Sequence, residues 1–592
     1  MARPTHGLIP AGVFALLFAC DGMVSERLTP DAVDPEGNVV TIDPTPGSDP
    51  GYPAPGETPD GPGGPVFKCN PAAPRESTGA LVLTKAQLTN TLEDLFGSGA
   101  VTAASAVLGT LAEEVFDGVT HVRQSGLTGE KVESYYAIAK SVAAYVTADD
   151  GRTGQVFGAC ATGSDVTTAC MDTFIAGFAE QILRRPLNGE ETTFISGMMS
   201  EGSGASRDRL RAVLTYLLAS PSFLWRVETG ELDGDGVLRR TPHEVATHLA
   251  YTFTNSTPDS TLVEKAKTSG LGTTEEVRDE ARRLLSTPRG RTKLIDAIAR
   301  WSLNDRTADL SNLPPEILGA SDPIDLSTAM IDEARVFIET MVFDRNATFE
   351  ELLTSPLSFA TDSELAALYG HQPATLDAPA NFEGRRRGLL LRAAPLTSTG
   401  PRAHIINRGV DFQLRVLCNK IPEPTVDIGD ARLMSEPTEE EKLEMSNREI
   451  VTQVTAAPVC QSCHKVINPT GFVFESFDSL GRIRDNEQVF TMEGELHGNV
   501  SLDASADVPL ADGEAVTMED AHAFVGWVGE SDDGKACFAR NMHRYLTERE
   551  EVAADECNME GTRDVLLASS TPVVDLVVDA LLHEDLFTKA TN

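Results

Sequence analysis

Cys460-Gln461-Ser462-Cys463-His464-Lys465-Val466-Ile467-Asn468-Pro469-Thr470-Gly471-Phe472 holds two cysteines separated by two residues, with a histidine immediately after them. That spacing attaches c-type haem. Each thiol adds to one porphyrin vinyl group, and on a helical turn the next residue directs its imidazole to the iron. The expectation is one covalent haem c, bound through Cys460 and Cys463, with His464 as the proximal iron ligand. Two plainer chemistries compete. A zinc site wants four ligands in paired clusters, and the chain has no second Cys-x-x-Cys to supply them. A local disulfide between Cys460 and Cys463 stays open, and it would leave a haem-free surface binding or scaffold protein.

A haem held by His464 takes a sixth ligand from methionine, histidine or water, or leaves that position open. Met434, Met445, Met492 and His497 lie nearest in sequence, and His404 is within reach of a folded module. Methionine would raise the potential and suit electron transfer, whereas an open position would suit oxygen or peroxide chemistry. Phe472, Phe474 and Phe477 are candidates to wall a haem edge or simply to fill a core. Arg482 and Arg484 would meet propionates or pair with Glu475 and Asp478.

The N-terminus sets the compartment. Residues 1–20 carry a short n-region with one arginine and an apolar run, Leu8 to Ala19, too short to span a bilayer. The run ends Leu17-Phe18-Ala19-Cys20, which resembles a bacterial lipobox and predicts export with lipidation at Cys20. Residues 21–68 then turn to Pro, Gly, Asp and Thr, a composition that cannot bury enough apolar surface to offset its ordering entropy. A disordered tether between a lipid anchor and a folded body is expected, at the cell envelope or outer surface. The formal charge of −40, from 89 acidic against 49 basic residues, excludes a nucleic-acid partner held by phosphate contacts. A redox partner protein is the expected counterpart.

Nine cysteines less Cys20, Cys460 and Cys463 leave six, which in an exported chain implies three disulfides. Proximity pairs Cys160 with Cys170 and Cys537 with Cys557, and elimination then pairs Cys69 with Cys418.

The body reads as mainly helical. Thr84 to Phe96 sets Leu88, Leu92, Leu95 and Phe96 on one face, with Thr84 as N-cap and Gly97 as stop. Helical periodicity recurs at Glu130–Val146, Met171–Arg185, Arg207–Ala219, Thr274–Leu285, Gly290–Trp301 and Leu326–Phe343, and Asn188 caps a further acidic-started helix. Asp233-Gly234-Asp235-Gly236 marks a turn; Val237 stands where a calcium loop needs oxygen. His243 and His248 are five apart, which rotates them away from a shared zinc, so both read as helix-surface side chains. No Walker loop, dinucleotide fingerprint or Gly-x-Ser-x-Gly elbow is present.

In order, these motifs resemble the exported multi-domain proteins of planctomycete-cytochrome type, assembled from the domain-of-unknown-function families 1587, 1595, 1592, 1588 and 1585. The first is carried by Leu83-Thr84 with Asp94-Leu95-Phe96-Gly97. Leu183-Arg184-Arg185-Pro186-Leu187 with Ser220-Pro221-Ser222-Phe223 carries the second, and Glu244-Val245-Ala246-Thr247-His248-Leu249 with Pro258-Asp259 the third. The fourth rests on Arg387-Gly388-Leu389-Leu390, Arg408-Gly409 and the stretch from Cys460 through Gly471-Phe472 to Arg484; the fifth runs from Cys537-Phe538-Ala539-Arg540 to Cys557. The resemblance implies export and a cytochrome-like module, and it supplies no substrate. The chain departs from the pattern at Asn468, where aspartate usually precedes the proline, and at His404-Ile405-Ile406-Asn407, where a Thr/Ser-Ser-Pro approach to the Arg-Gly pair is usual.

The expected organisation is a signal peptide (1–20), a tether (21–68) and helical domains at 69–150, 160–230 and 238–371. A cytochrome c-like module follows at 385–490, then a small helical domain at 510–592. The expected function is electron transfer in the envelope, with the module serving either alone or as the redox part of an enzyme on an extracellular polymer. No residue points to the catalytic part of that extension.

Overall fold

The computed structural model describes residues 67–589 except 71–79, 113–114, 118, 123–127, 201–204, 233–237, 320, 422–435, 492–494, 569 and 583–587. The export signal, Cys20, the tether up to residue 66, the Asp233–Gly236 turn, Met434 and Met492 lie outside the described residues. The fold is mainly α, as expected, with many helices in series and short antiparallel strand pairs. The chain divides into two compact units, neither continuous in sequence. One comprises Phe67–Ser302, Arg335–Leu353 and Gly529–Asn592; the other contains Leu303–Ala334 and Thr354–Val528.

In the first unit the helix Lys85–Phe96 starts where the sequence dictates. The Thr84 hydroxyl accepts from Gln87 N, the Gln87 side chain accepts from Thr84 N, and Gly97, at φ 81°, ends the helix. Leu88 and Leu92, one turn apart, are buried in an apolar core shared with Gly129–Val146 and Ser206–Ala219. Asn188 caps Gly189–Ser200 as expected, accepting from Glu191 N at 2.8 Å. The expected helix Met171–Arg185 is broken: a π-helical turn, Ile175–Ala179, interrupts it, and Arg184 ends it in the left-handed region at φ 59°. Periodicity could not show this. The buried Arg184 guanidinium donates to the carbonyls of Ser222, Phe223 and Trp225, and the backbone bends to let it reach them.

One of the two histidines of the helix Pro242–Thr254, His248, also differs from expectation. His248 is nearly buried, its Nδ1 3.4 Å from Glu228, which also pairs with Arg240 at 2.9 Å. Glu228 abuts Arg226, which reaches Glu548 at 2.6 Å, and Lys293 meets Glu548 at 2.8 Å. A carboxylate with cationic partners can be buried at tolerable cost, and it draws the neighbouring imidazole inward. Each charge in this network is spent on another, so it joins helices distant in sequence and offers no reacting group.

Cys160 pairs with Cys170 as expected, but Cys557 pairs with Cys69 and not with Cys537. Cys418 and Cys537 are each disulfide-bonded, so Cys418 is not the partner of Cys69. Sequence proximity failed because bonding depends on which Cβ atoms meet in space. Phe67 and Lys68, which the sequence composition assigns to the tether, contact the folded body. Phe67 is buried beside the guanidinium groups of Arg540 and Arg563, and Lys68 N donates to Glu556.

In the second unit an apolar core gathers Leu310, Leu326, Met330, Leu365, Phe382, Ala393 and Leu480. Arg392 is fully buried within this unit and is neutralised by Glu333, whose Oε1 also accepts from Phe359 N. Two hairpins that helical periodicity did not announce follow the helical part. Asn486–Phe490 pairs with Leu496–Ser501, and Ala506–Pro509 with Ala515–Met518, both antiparallel.

Candidate functional site

Cys460, Cys463 and His464 lie in the first two turns of the helix Pro458–Phe472. Pro458 occupies the first helical position, where its missing N–H costs nothing. Offsets of three and four residues place the three side chains on one face of that helix. Cys460 and Cys463 are half-buried and outside any disulfide, so the local Cys460–Cys463 bridge of the haem-free alternative is not formed. His464 is half-buried, and burial lowers its pKa from the ordinary 6.5, although its bond to Asn468 acts the other way. The imidazole is therefore held neutral, as metal ligation requires.

Three hydrogen bonds run back from that imidazole. His464 Nδ1 lies 2.9 Å from Asn468 Oδ1, Asn468 Nδ2 donates to Thr455 Oγ1 at 2.9 Å, and the Thr455 hydroxyl donates to Val451 O at 2.7 Å. Asn468 and Thr455 are both buried. Among the described residues His464 Nε2 makes no hydrogen bond.

The platform beneath this helix is the helix Ile405–Arg415, antiparallel to it. The two touch backbone to backbone. A Cβ on Gly409 would collide with Ile467 O, and one on Gly471 would collide with Ile405 O. Glycine is required at both points because of this approach, since neither has positive φ. Gln413 adds a buried bond to Thr470 Oγ1 at 2.6 Å and itself accepts from Asn419 Nδ2 at 2.6 Å. The strand Ala506–Pro509 packs on the motif helix Pro458–Phe472.

Arg408, next to Gly409, is buried, and its guanidinium donates to the carbonyls of Leu396, Phe474, Phe477 and Asp478. It locks the turn that follows the motif helix. Burial pushes its pKa down to about 10, and the Glu475 charge opposes that drop. Sequence reasoning noted the Arg408-Gly409 pair without a role. The available signal was an arginine followed by glycine on a helix whose inward positions also include the apolar Ile405 and Phe412.

The remaining candidates divide. Arg482 pairs with Asp478 at 2.7 Å and Arg484 with Glu475 at 3.5 Å, the internal pairing. Phe474 is fully buried against Phe412 and Phe524, with ring centroids at 4.1 and 5.6 Å; Phe477 is also fully buried, and Phe472 lies under Arg448. All three serve as core. Of the sixth-ligand candidates, His497 Nε2 sits 3.3 Å from Glu444 Oε1. Met445 lies in the turn before Asn447–Val454, its carbonyl taken by Arg402. His404 stands at the N-cap position of the helix Ile405–Arg415, without a side-chain capping bond, beside the Gly471 contact. Gly471 is seven residues along from His464, roughly 10 Å down the helix axis.

The donor set fits a covalently held haem. Two thiols outside any disulfide stand at the attachment spacing, and beside them is a neutral imidazole engaged at Nδ1, with Nε2 left for a metal.

Residues 170–228 match the family described as a protein of unknown function (DUF1595), residues 241–371 that of DUF1592 and residues 386–487 that of DUF1588. The last span contains the Cys460–Phe472 helix. No curated protein and no solved structure matches the chain. Over residues 170–487 the chain therefore carries, in the order 1595, 1592 and 1588, domains of unknown function of the planctomycete-cytochrome type.

Proposed function

We propose that the protein is an exported c-type haem protein that carries electrons in the cell envelope, anchored by a lipid on Cys20. Cys460 and Cys463 hold one haem through thioether bonds, and His464 binds its iron through Nε2. Attachment adds each S–H across a vinyl C=C, so the sulfur joins carbon, the proton goes to the neighbouring carbon and no oxidant is consumed. Bound in this way, the haem supplies one-electron redox chemistry. The observation that carries the reading is the three side chains sharing one helical face, with both thiols outside disulfides. Disulfides elsewhere are compatible with export, and among the described residues no helix is long and apolar enough to cross a membrane. An acidic chain suits a protein redox partner with a basic docking face.

The test is a haem-stained denaturing gel with a reduced-minus-oxidised visible spectrum, on wild type and Cys463→Ser made in a host with haem-attachment machinery. Haem that survives denaturation in wild type and is lost or strongly reduced in the variant is the expected result. A colourless wild type whose Cys460 and Cys463 are oxidised to each other would overturn it and leave a haem-free binding or scaffold protein.

A further inference from the structure

We infer that Asn468 is a positioning residue that fixes His464 as the Nδ1–H tautomer and so presents Nε2 as the unprotonated, metal-binding nitrogen before any metal arrives. The inference deepens the haem reading and rests on it for its functional meaning, but the tautomer can be read without haem.

The direction of each bond follows from its far end. Val451 O can only accept, so the Thr455 hydroxyl spends its one proton there. Thr455 Oγ1 must then accept from Asn468, which assigns Nδ2 to that side and turns Oδ1 to the histidine. Oδ1 can only accept, so the ring proton sits on His464 Nδ1. The chain is anchored by a backbone carbonyl and passes through two buried side chains, so neither Asn468 nor Thr455 can reverse by rotating into solvent. An imidazole in water favours the opposite tautomer, with the proton on Nε2 and the metal-binding nitrogen blocked.

The acceptor is also a neutral amide. An aspartate in its place would draw the Nδ1 proton and give the ring imidazolate character, making it a stronger donor to iron and lowering the potential. Asn468 thus selects the tautomer without that added donation.

The experiment uses the full chain prepared without haem and labelled with 15N-imidazole histidine, His464 being assigned by the resonances lost in His464→Gln. Wild type is expected to show the Nδ1–H pattern, Asn468→Ala to revert to Nε2–H, and Thr455→Val to mix the two. A wild-type Nε2–H pattern, or an Asn468→Ala protein that keeps Nδ1–H, would overturn the proposal. Should Asn468→Ala not fold, Thr455→Val and the wild-type pattern decide it. In haem-loaded protein Asn468→Asp is expected to shift the midpoint potential downward, and an unchanged potential counts against the proposal. Absence of haem from every variant would instead overturn the haem reading while leaving the tautomer result in place.

Discussion

Glu475 is 2 % exposed, in the turn that Arg408 clamps behind the motif helix. Arg484, at 3.5 Å, draws its carboxyl down, but burial and the nearby Glu487 charge outweigh that pull and raise it to about 7. With the folded value above the ordinary 4.5, the protonated acid stabilises this unit fully below about pH 4.5, and the contribution is lost as pH climbs to about 7. His404 and His464 act in the opposite sense. Burial holds both below 6.5, so what they contribute is present above that value and lost as pH falls. Comparing wild type with Glu475→Gln by urea unfolding across this range isolates the first effect. The variant should lose a decline on the order of 1–3 kcal/mol between the two limits; identical slopes would show that Glu475 stays ionised.

At the scale of elements, what matters is the glycine-mediated contact between Ile405–Arg415 and Pro458–Phe472. Pro469 sits inside the second helix and removes one of its N–H donors, so that helix leans on its neighbour for support. Gly471→Ala should push the helices apart and destabilise this unit by roughly 1–3 kcal/mol, with some loss of haem-stainable protein if His464 is displaced. Gly197 is the control. It lies in the helix Gly189–Ser200 with nothing within 4 Å of an added Cβ, so Gly197→Ala should be neutral or stabilise by up to about 1 kcal/mol. Thermal unfolding followed by circular dichroism distinguishes the two, and equal effects would show that the close approach is not what the glycine serves.

For the whole molecule the Cys69–Cys557 bond joins residues 488 apart in sequence. It fastens the segment that begins at Phe67 to the helices Asp532–Thr547 and Glu556–Leu567, where Arg540 and Arg563 flank the phenylalanine ring. A non-reducing peptide map should yield a Cys69–Cys557 crosslinked peptide and none joining Cys537 to Cys557. Removing the bond with Cys69→Ser should cost roughly 2–5 kcal/mol in the unit it closes, seen as a lower unfolding midpoint. An unchanged midpoint would mean that the Phe67 contact alone holds the segment.

The sequence by itself determined what depends on neighbours a few residues away. Thr84 and Asn188 start their helices because a side chain caps N–H groups within one turn, Gly97 stops one by taking positive φ, and Cys460, Cys463 and His464 share a face because a helix repeats every 3.6 residues. The order of the 1595, 1592 and 1588 motifs was legible for the same reason, since each is a short local string. Only the tertiary structure decided what depends on residues far apart in sequence. Cys69 finding Cys557, Glu548 drawing together Arg226 and Lys293, and Arg184 bending its own helix toward residues 222–225 each join groups whose encounter no local pattern encodes. The same holds at the site. The spacing named the thiols and the imidazole, but the Asn468 side chain that holds His464 Nδ1 is itself held by Thr455, which belongs to the turn before the motif helix and meets Asn468 only when the two pack. Burial makes such contacts strong, and burial is a property of the assembled fold.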